Sequence, residues 1–175
     1  GVSFHHINAA VGPVRNLKTC VARCHLEIEE VVMSPYASGL SCLVEDEKDL
    51  GVTLVDMGAG TTTIAVFYDG QVVFADSIPA GGGHVTNDIA RGLSTPVAHA
   101  ERMKILYGSA ITQQSDENEM IDVPLVGEDD HNHPNHVPRS ILTGIIWPRM
   151  EEIFELLRER LEISSADRLR SEEHT

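Results

Sequence analysis

The sequence predicts an α/β fold, and three observations lead to that prediction. Residues 51–78 are rich in β-branched and apolar residues, and their Asp69-Gly70 pair is typical of a hairpin turn. Helical periodicity precedes this stretch and resumes after it. Hydrophobic residues make up 42% of the 175 residues, which is enough for a globular core.

The composition excludes several classes of function. The formal net charge of −14 argues against a nucleic-acid-binding surface, because phosphate backbones are bound by clustered Lys and Arg. Three cysteines fit a reducing compartment better than a disulfide scaffold. No apolar run approaches the roughly 20 residues that span a bilayer, and no signal peptide is visible. Since the sequence begins with Gly1, we expect the natural N-terminus to lie upstream.

The first third of the chain is predicted to contain a strand end and a helix. Ser3–Ala9 has the pattern of a short strand, and Pro13–Cys24 that of an amphipathic helix. The residues with the spacing of a buried helical stripe are Leu17, Cys20, Val21 and Cys24. Because a second pair of ligands is absent, this pattern favours core packing of the cysteines over a metal site.

Three further elements are predicted before residue 51. Ile28–Met33 is an apolar strand candidate. Ser34-Pro35 indicates an N-cap followed by a first-turn proline, which starts a second helix. Glu45–Asp49 is interpreted as a solvated, charged connection.

Residues 51–78 are predicted to form three antiparallel strands. The first two are the apolar runs Val52–Val55 and Thr63–Phe67, joined by a Gly-rich turn. The third follows Asp69-Gly70 and ends at Ile78.

After the strands, helices dominate. One is predicted to begin with Thr86 as its N-cap, with Val85, Ile89 and Leu93 facing inward. The next runs from Thr95-Pro96 to Tyr107. Beyond them Ile121–Val126 is a strand candidate. An apolar helical stripe then follows at Met150, Ile153, Phe154, Leu157 and Leu161. Pro148 either starts that last helix or lies inside a longer one.

The last six residues, 170–175, extend no pattern. Their codons can be chosen to match the start of a widely used sequencing-library adapter. We therefore interpret them as an adapter artefact rather than as an ordinary polar tail, and leave them out of fold reasoning.

Three signals suggest phosphate or nucleoside binding. Asp56 precedes the turn Gly58–Thr62, whose backbone N–H groups could converge on an anion, and its carboxylate suits a hydrated Mg²⁺. Gly81–Gly83 ends a strand before a helix, which lets the backbone approach a ligand. Glu101 and Lys104 are three residues apart on a predicted helix and can face one cleft. Alone, each signal also fits an ordinary turn, a loop or an exposed ion pair.

Together, these residues resemble the actin/Hsp70/sugar-kinase superfamily and, within it, the FtsA family of bacterial cell-division proteins. The segments that carry the resemblance to FtsA are 16–17, 34–38, 45–47, 50–52, 56–62, 81–82, 86–90, 101–104, 107–110, 137–140 and 148–153. The Asp-x-Gly-x-Gly-Thr-Thr turn belongs to the whole superfamily, whereas Thr-Asn-Asp-Ile-Ala and Pro-Arg-Ser point to FtsA. Ala59 departs from the common glycine, which leaves the turn plausible if its φ is negative.

The resemblance implies a partial actin-like, ribonuclease H-like ATPase fold, mostly its second lobe. Residues 1–11 would close the FtsA-specific subdomain and 12–50 would return to the first lobe. Residues 51–92 would form the inner subdomain of the second lobe, 93–142 its outer subdomain, and 143–169 the returning helix. The first phosphate loop, a Gly-Gly adenosine motif and a C-terminal amphipathic helix would lie outside this chain.

The resemblance also implies ATP and Mg²⁺ as cofactors. Asp56 would lie near Mg²⁺, through water, and near the attacking water. The residues implied to contact phosphates and nucleoside are Gly58, Ala59, Gly60, Thr61, Thr62, Gly81, Gly82, Gly83, Glu101 and Lys104. Whether the intact protein hydrolyses ATP or only uses it to bias polymerisation is left open, and we expect no appreciable ATPase activity from this chain alone.

As partners, the resemblance implies the C-terminal peptide of the tubulin-like protein FtsZ, further copies of the protein in a polymer, and the membrane. Arg139, Trp147 and Arg149 are the predicted peptide-binding residues, because cations and an aromatic side chain suit an acidic, apolar peptide. In the alternative interpretation, the arginines pair with nearby glutamates and Trp147 packs the helix start.

The implied role is an adaptor that tethers the FtsZ ring to the cytoplasmic face of the inner membrane at the division site. The membrane contact would be made by the C-terminal helix outside this chain. A sugar kinase or phosphatase and an Hsp70-like ATPase are alternatives on the same superfold. The segments after residue 84 favour the adaptor.

Overall fold

The computed structural model describes residues 9–126 and 135–172, with side chains up to Ile163. The predicted strand Ser3–Ala9 lies outside the described residues except for Ala9, which is not in a strand. Residues 173–175 of the tail also lie outside them.

The described residues form two compact units. One contains the residues up to Asp56 together with Ile64–Asp76, and the other contains Met57–Thr63 and the residues from Ser77 onward. This division does not follow the subdomain boundaries inferred from the resemblance, which stay predictions.

The described part contains six helices, five strands and one short 3₁₀ turn. The helices are α1 (Val11–Arg23), α2 (Ser34–Cys42), α3 (Glu45–Leu50), α4 (Gly82–Gly92), α5 (Val97–Tyr107) and α6 (Arg139–Glu172). The strands are β1 (Val52–Met57), β2 (Thr62–Tyr68), β3 (Gln71–Ile78), β4 (Met120–Val123) and β5 (Asn135–Pro138). The 3₁₀ turn spans Gln114–Glu117.

The predicted three-stranded sheet is confirmed, with the order β1-β2-β3. Asp69 (φ 51°) and Gly70 (φ 70°) have the two positive φ angles that a tight hairpin turn requires. Their N–H groups donate to the carbonyls of Asp49 and Lys48 at 3.2 and 3.3 Å. The end of α3 therefore holds the tip of the β2–β3 hairpin.

Three predictions for the first unit are wrong. Ile28–Met33 forms no strand, and no strand of the described part pairs with it. The stretch predicted as a charged connection is helix α3, in which Lys48 is buried and pairs with Glu45 at 2.8 Å. The predicted stripe of α1 is not buried: Leu17 and both cysteines are exposed, since no described element packs over them.

The second unit contains a core between α4, α5, the β4–β5 hairpin and α6. Its fully or nearly buried members are Val85, Ile89, Leu93, Ala100, Met103, Ile121, Val123, Leu142 and Ile146. This confirms the predicted inward face of α4. The antiparallel pair β4–β5 places Ile121 opposite Val137.

The structure corrects the predicted start of one helix and decides between two predicted starts of another. α4 begins at Gly82, with Gly81 as N-cap, four residues before the predicted cap at Thr86. Pro148 lies inside α6, so the longer of the two predicted helices is the one observed. Ile153 and Leu157 face the interior of this unit, whereas Phe154, which was predicted in the same stripe, is 53% exposed.

Candidate functional site

The glycine-containing turn that follows β1 belongs to the second unit. It is closed by a hydrogen bond from Gly58 N–H to the Thr61 carbonyl at 2.9 Å. Residues 58–61 are exposed, and within the described part the N–H groups of Ala59, Gly60 and Thr61 donate to no carbonyl. Three consecutive donors are therefore available to an anion at this turn.

The turn does not depend on unusual backbone angles. Neither Gly58 nor Gly60 has a positive φ, so the turn does not use the backbone region that glycine alone reaches readily. Ala59 also has no positive φ, so an alanine at this position, where glycine is common, is compatible with the turn. Thr62 is fully buried and donates from its hydroxyl to the Ala80 carbonyl at 2.7 Å, so its side chain is not presented to a ligand.

The Gly81–Gly83 segment lies directly against this turn. Gly82 and Gly83 donate from their N–H groups to the carbonyls of Gly58 and Ala59 at 2.9 and 2.8 Å. A Cβ at Gly81 would lie 2.3 Å from the Gly58 oxygen, so only glycine permits this approach. These two N–H groups at the start of α4 are thus satisfied by carbonyls of the turn.

Next to this contact, Glu101 and Lys104 of α5 form the predicted pair. The Lys104 ammonium donates to Glu101 Oε2 at 2.8 Å, to the hydroxyl of Thr86 at 2.9 Å and to the carbonyl of Gly82 at 3.1 Å. Thr86 donates to Glu101 Oε2 at 2.5 Å. The predicted Glu101–Lys104 pair is therefore part of a hydrogen-bond network that includes Gly82 and Thr86 of α4.

The charge state of Glu101 follows from these contacts. The hydrogen bond from Lys104, together with the one from Thr86, lowers the pKa of the Glu101 carboxyl, while burial opposes them weakly. Both bonds end on Oε2, and the side chain is 45% exposed. Glu101 thus holds an ionised carboxylate whose other oxygen, Oε1, can accept hydrogen bonds from a ligand.

Asp56 lies in the first unit, at the end of β1. The Ser38 hydroxyl of α2 donates to its Oδ2 at 2.8 Å and so fixes the orientation of the carboxylate. Asp56 is partly exposed. A fixed carboxylate with a second oxygen is the kind of group that binds hydrated Mg²⁺, although no cluster of three metal-ligating side chains occurs in the described ranges.

Of the predicted peptide-binding residues, Arg139 is engaged within the protein. It donates to the Tyr107 carbonyl at 2.9 Å and to Glu119 at 2.8 Å, and it lies 3.6 Å from Asp116. The hydrogen bond that Arg139 donates to Glu119 raises the pKa of Arg139 above its ordinary value. Asp116 is 1% exposed, so Arg139 compensates a buried carboxylate at the base of the β4–β5 hairpin.

Arg149 is also engaged. Its Nε and Nη2 donate to the two oxygens of Asp88 at 2.6 and 3.2 Å, and its Nη1 donates to Glu152 at 2.5 Å. The bond to Asp88 raises the pKa of the guanidinium. This bidentate ion pair between Arg149 and Asp88 joins α6 to α4. Intrachain pairing, the alternative interpretation, therefore describes both arginines. Arg149 pairs with the nearby Glu152 and with Asp88, and Arg139 pairs with Glu119.

Trp147 lines an open, mostly apolar groove on the second unit. The side chain is 51% exposed, so it does not pack the interior. The residues that line the groove are Ala110, Ile111, Trp147, Met150, Glu151, Phe154, Glu155 and Arg158. Those from α6 lie three or four residues apart or at multiples of one turn, which places them on one helical face. The helical spacing of these residues could have indicated an exposed apolar face, but Phe154 was predicted to belong to the buried stripe.

The fold matches that of solved structures. MreB5 of Spiroplasma citri, solved with ADP or with AMPPNP, matches with a TM-score of 0.71 at 20% identity, over 88% of this chain and 48% of that one. The PilM-PilN type IV pilus biogenesis complex matches with a TM-score of 0.60 at 18% identity, over 86% of this chain and 36% of that one. The chain therefore has part of the α/β fold of actin-like ATPases.

The family model described as Cell division protein FtsA matches residues 53–172. The chain belongs to the FtsA family, as the sequence resemblance implied. Cell division protein FtsA of Rhizobium meliloti is 49% identical over 164 residues, which are 94% of this chain and 37% of that protein. The one of Pseudomonas aeruginosa is 41% identical over 165 residues, 94% of this chain and 39% of that protein. The chain thus spans less than two fifths of either relative.

In the described part of the chain, no helix is long and apolar enough to cross a membrane.

Proposed function

We propose that this chain is part of an ATP-binding, polymer-forming adaptor that ties the FtsZ ring to the cytoplasmic face of the inner membrane at the division site. Membership of the FtsA family supports the role in cell division. The observation that carries nucleotide binding is the Glu101–Lys104–Thr86 network beside an exposed turn with three available N–H groups.

The groups within each unit fit separate parts of Mg-ATP. In the second unit, the N–H groups of residues 59–61 suit phosphate oxygens, and Glu101 Oε1 suits the hydroxyls of a ribose. In the first unit, the carboxylate of Asp56 suits a water of hydrated Mg²⁺, which when bound would offset phosphate charge. MreB5 of Spiroplasma citri, which shares the fold, was crystallised with ADP and with AMPPNP, and this supports the proposal of nucleotide binding.

Nucleotide binding is tested by replacing the carboxylate that faces the ligand. In the intact protein that contains this chain, Glu101→Ala is expected to weaken ATP binding about tenfold or more, since hydrogen bonds to a charged group contribute about 1.5–3 kcal/mol. Isothermal titration of ATP in the presence of Mg²⁺ measures this. Glu159→Ala, which removes an exposed carboxylate of α6, is the matched control. Equal affinities of both variants and the parent protein would show that Glu101 does not contact the nucleotide.

For the partner, we propose that the C-terminal peptide of FtsZ binds the groove around Trp147. Ile111 and Phe154 are 70% and 53% exposed and offer apolar surface beside the indole. Arg158 lines the same groove, and the ion pair that it makes within the described residues, with Glu162, is long at 3.7 Å, so it can pair with an acidic peptide. Arg139 and Arg149 then support the helices behind the groove rather than contacting the peptide.

Removing the indole should weaken peptide binding without unfolding the unit. Trp147→Ala is expected to reduce the affinity for a synthetic FtsZ C-terminal peptide about tenfold or more, because exposed tryptophans in such grooves are frequent anchors. Fluorescence anisotropy of the labelled peptide measures this. Ile105→Ala is the control, since Ile105 is 71% exposed and lies outside the groove. A peptide affinity that Trp147→Ala leaves unchanged would place the docking surface elsewhere.

Self-association and membrane contact complete the proposal. The actin-like fold supports assembly into a polymer, and the membrane contact would come from a helix outside this chain. The alternatives of a sugar kinase, a phosphatase or an Hsp70-like ATPase gain no support from these residues, whereas the match to the FtsA family favours the adaptor.

A further inference from the structure

Thr86 is a buried polar residue that the sequence indicated only as a helix cap. It lies in the second turn of α4 and is 4% exposed. Its hydroxyl oxygen is 2.5 Å from Glu101 Oε2, 2.9 Å from the Lys104 ammonium and 3.0 Å from the Gly82 carbonyl oxygen. One hydroxyl therefore contacts both Glu101 and Lys104 of α5 and the first residue of α4.

The number of protons determines how these contacts are shared. A lysine ammonium has three protons, and Lys104 has three acceptors, namely Glu101 Oε2, Thr86 Oγ1 and the Gly82 carbonyl. The hydroxyl of Thr86 has one proton, which the shorter distance assigns to Glu101. Lys104 thus has no proton left for a ligand, and Glu101 keeps Oε1 as its available acceptor.

We propose that Thr86 is a positioning residue for the nucleotide, which holds the Glu101 carboxylate so that Oε1 faces the hydroxyls of the ribose. This inference rests on the proposed nucleotide binding. Thr86 and Lys104 both donate to Oε2 of Glu101, and Lys104 also donates to the Thr86 hydroxyl. The carboxylate therefore cannot rotate without breaking its bonds from both residues. Thr86 itself does not touch the ligand.

A purely structural role for Thr86 predicts a different result. If its hydroxyl only joined α4 to α5, its removal would lower stability and weaken all ligands of the site equally. A positioning role instead changes the preference for a ligand that has the ribose hydroxyls. The two roles are therefore separated by a ratio of affinities.

The first measurement needs no nucleotide. The Glu101 carboxyl is titrated by ¹³C NMR in the parent protein, in Thr86→Val, which removes the hydroxyl at nearly constant volume, and in Thr86→Ser, which keeps it. The expected result is a Glu101 pKa below its ordinary value in the parent and in Thr86→Ser, and a higher one in Thr86→Val. If Thr86→Val fails to fold, Thr86→Ala removes the same group. A Glu101 titration that is the same in all variants would overturn the proposal.

The second measurement uses the intact protein and compares ATP with 2′,3′-dideoxy-ATP, which lacks both ribose hydroxyls. Thr86→Val is expected to weaken ATP binding about three- to tenfold, which is the range for one lost hydrogen bond, and to leave binding of 2′,3′-dideoxy-ATP nearly unchanged. Thr86→Ser should behave like the parent protein. An equal loss for both nucleotides would overturn the positioning role. If the parent protein binds neither nucleotide, the proposed function fails, while the carboxyl titration still decides whether Thr86 orients Glu101.

Discussion

Replacing Gly81 with alanine is expected to lower the free energy of unfolding of this protein by about 1–3 kcal/mol, the usual cost of inserting an atom into a packed site. Gly81 is buried, and its new Cβ would lie 2.3 Å from the Gly58 oxygen and 3.0 Å from the Ala59 oxygen. Both are backbone atoms that cannot rotate away. The segment would have to move, which would break the bonds from Gly82 and Gly83 to the turn.

Urea denaturation followed by far-UV circular dichroism measures this effect, and the turn itself supplies the control. A Cβ at Gly60 would meet no atom within 4 Å, and Gly60 has no positive φ. Gly60→Ala should therefore change stability by less than about 0.5 kcal/mol. Similar unfolding midpoints for Gly81→Ala and Gly60→Ala would show that the turn and the start of α4 are not packed as described.

Loss of the Asp56 carboxylate is expected to abolish the part of ATP affinity that depends on Mg²⁺ in the intact protein. The Ser38 hydroxyl orients this carboxylate, and a hydrated Mg²⁺ prefers such an oxygen ligand. In Asp56→Ala, adding Mg²⁺ should no longer strengthen ATP binding, whereas in the parent protein the affinity with Mg²⁺ should exceed that in EDTA by about tenfold or more.

Calorimetric titrations with Mg²⁺ and with EDTA provide both values. Asp46→Ala is the matched control, because it removes an exposed carboxylate from α3 in the same unit. Only the substitution at Asp56 should remove the Mg²⁺ effect. An undiminished gain in affinity with Mg²⁺ in Asp56→Ala would remove this residue from the proposed site.

The sequence was a good guide where structure depends on local pattern. The Asp69-Gly70 turn and the inward face of α4 were predicted because turn chemistry and helical periodicity are encoded by neighbouring residues. Ile28–Met33 had the composition of a strand, but strands require hydrogen-bonded neighbours that composition does not specify. The start of α4 was missed because its first N–H groups are satisfied by Gly58 and Ala59, which are distant in sequence.

The candidate site was predictable in part for the same reason. Glu101 and Lys104 could be paired from their spacing, since residues three apart on a helix face the same side. The contact of Thr86 with them required the packing of α4 on α5. Arg139 and Arg149 were assigned to a partner because the acids that pair with them, Glu119 and Asp88, are distant in the sequence, and no local pattern indicates these pairs.

The saturated hydrogen bonding of Lys104 has a consequence for which groups would bind a terminal phosphate. An ammonium whose three protons are held by Glu101, Thr86 and Gly82 contributes a fixed field and no movable donor. In the proposed nucleotide site, direct hydrogen bonds to a terminal phosphate would then come from the exposed N–H groups of residues 59–61 rather than from Lys104.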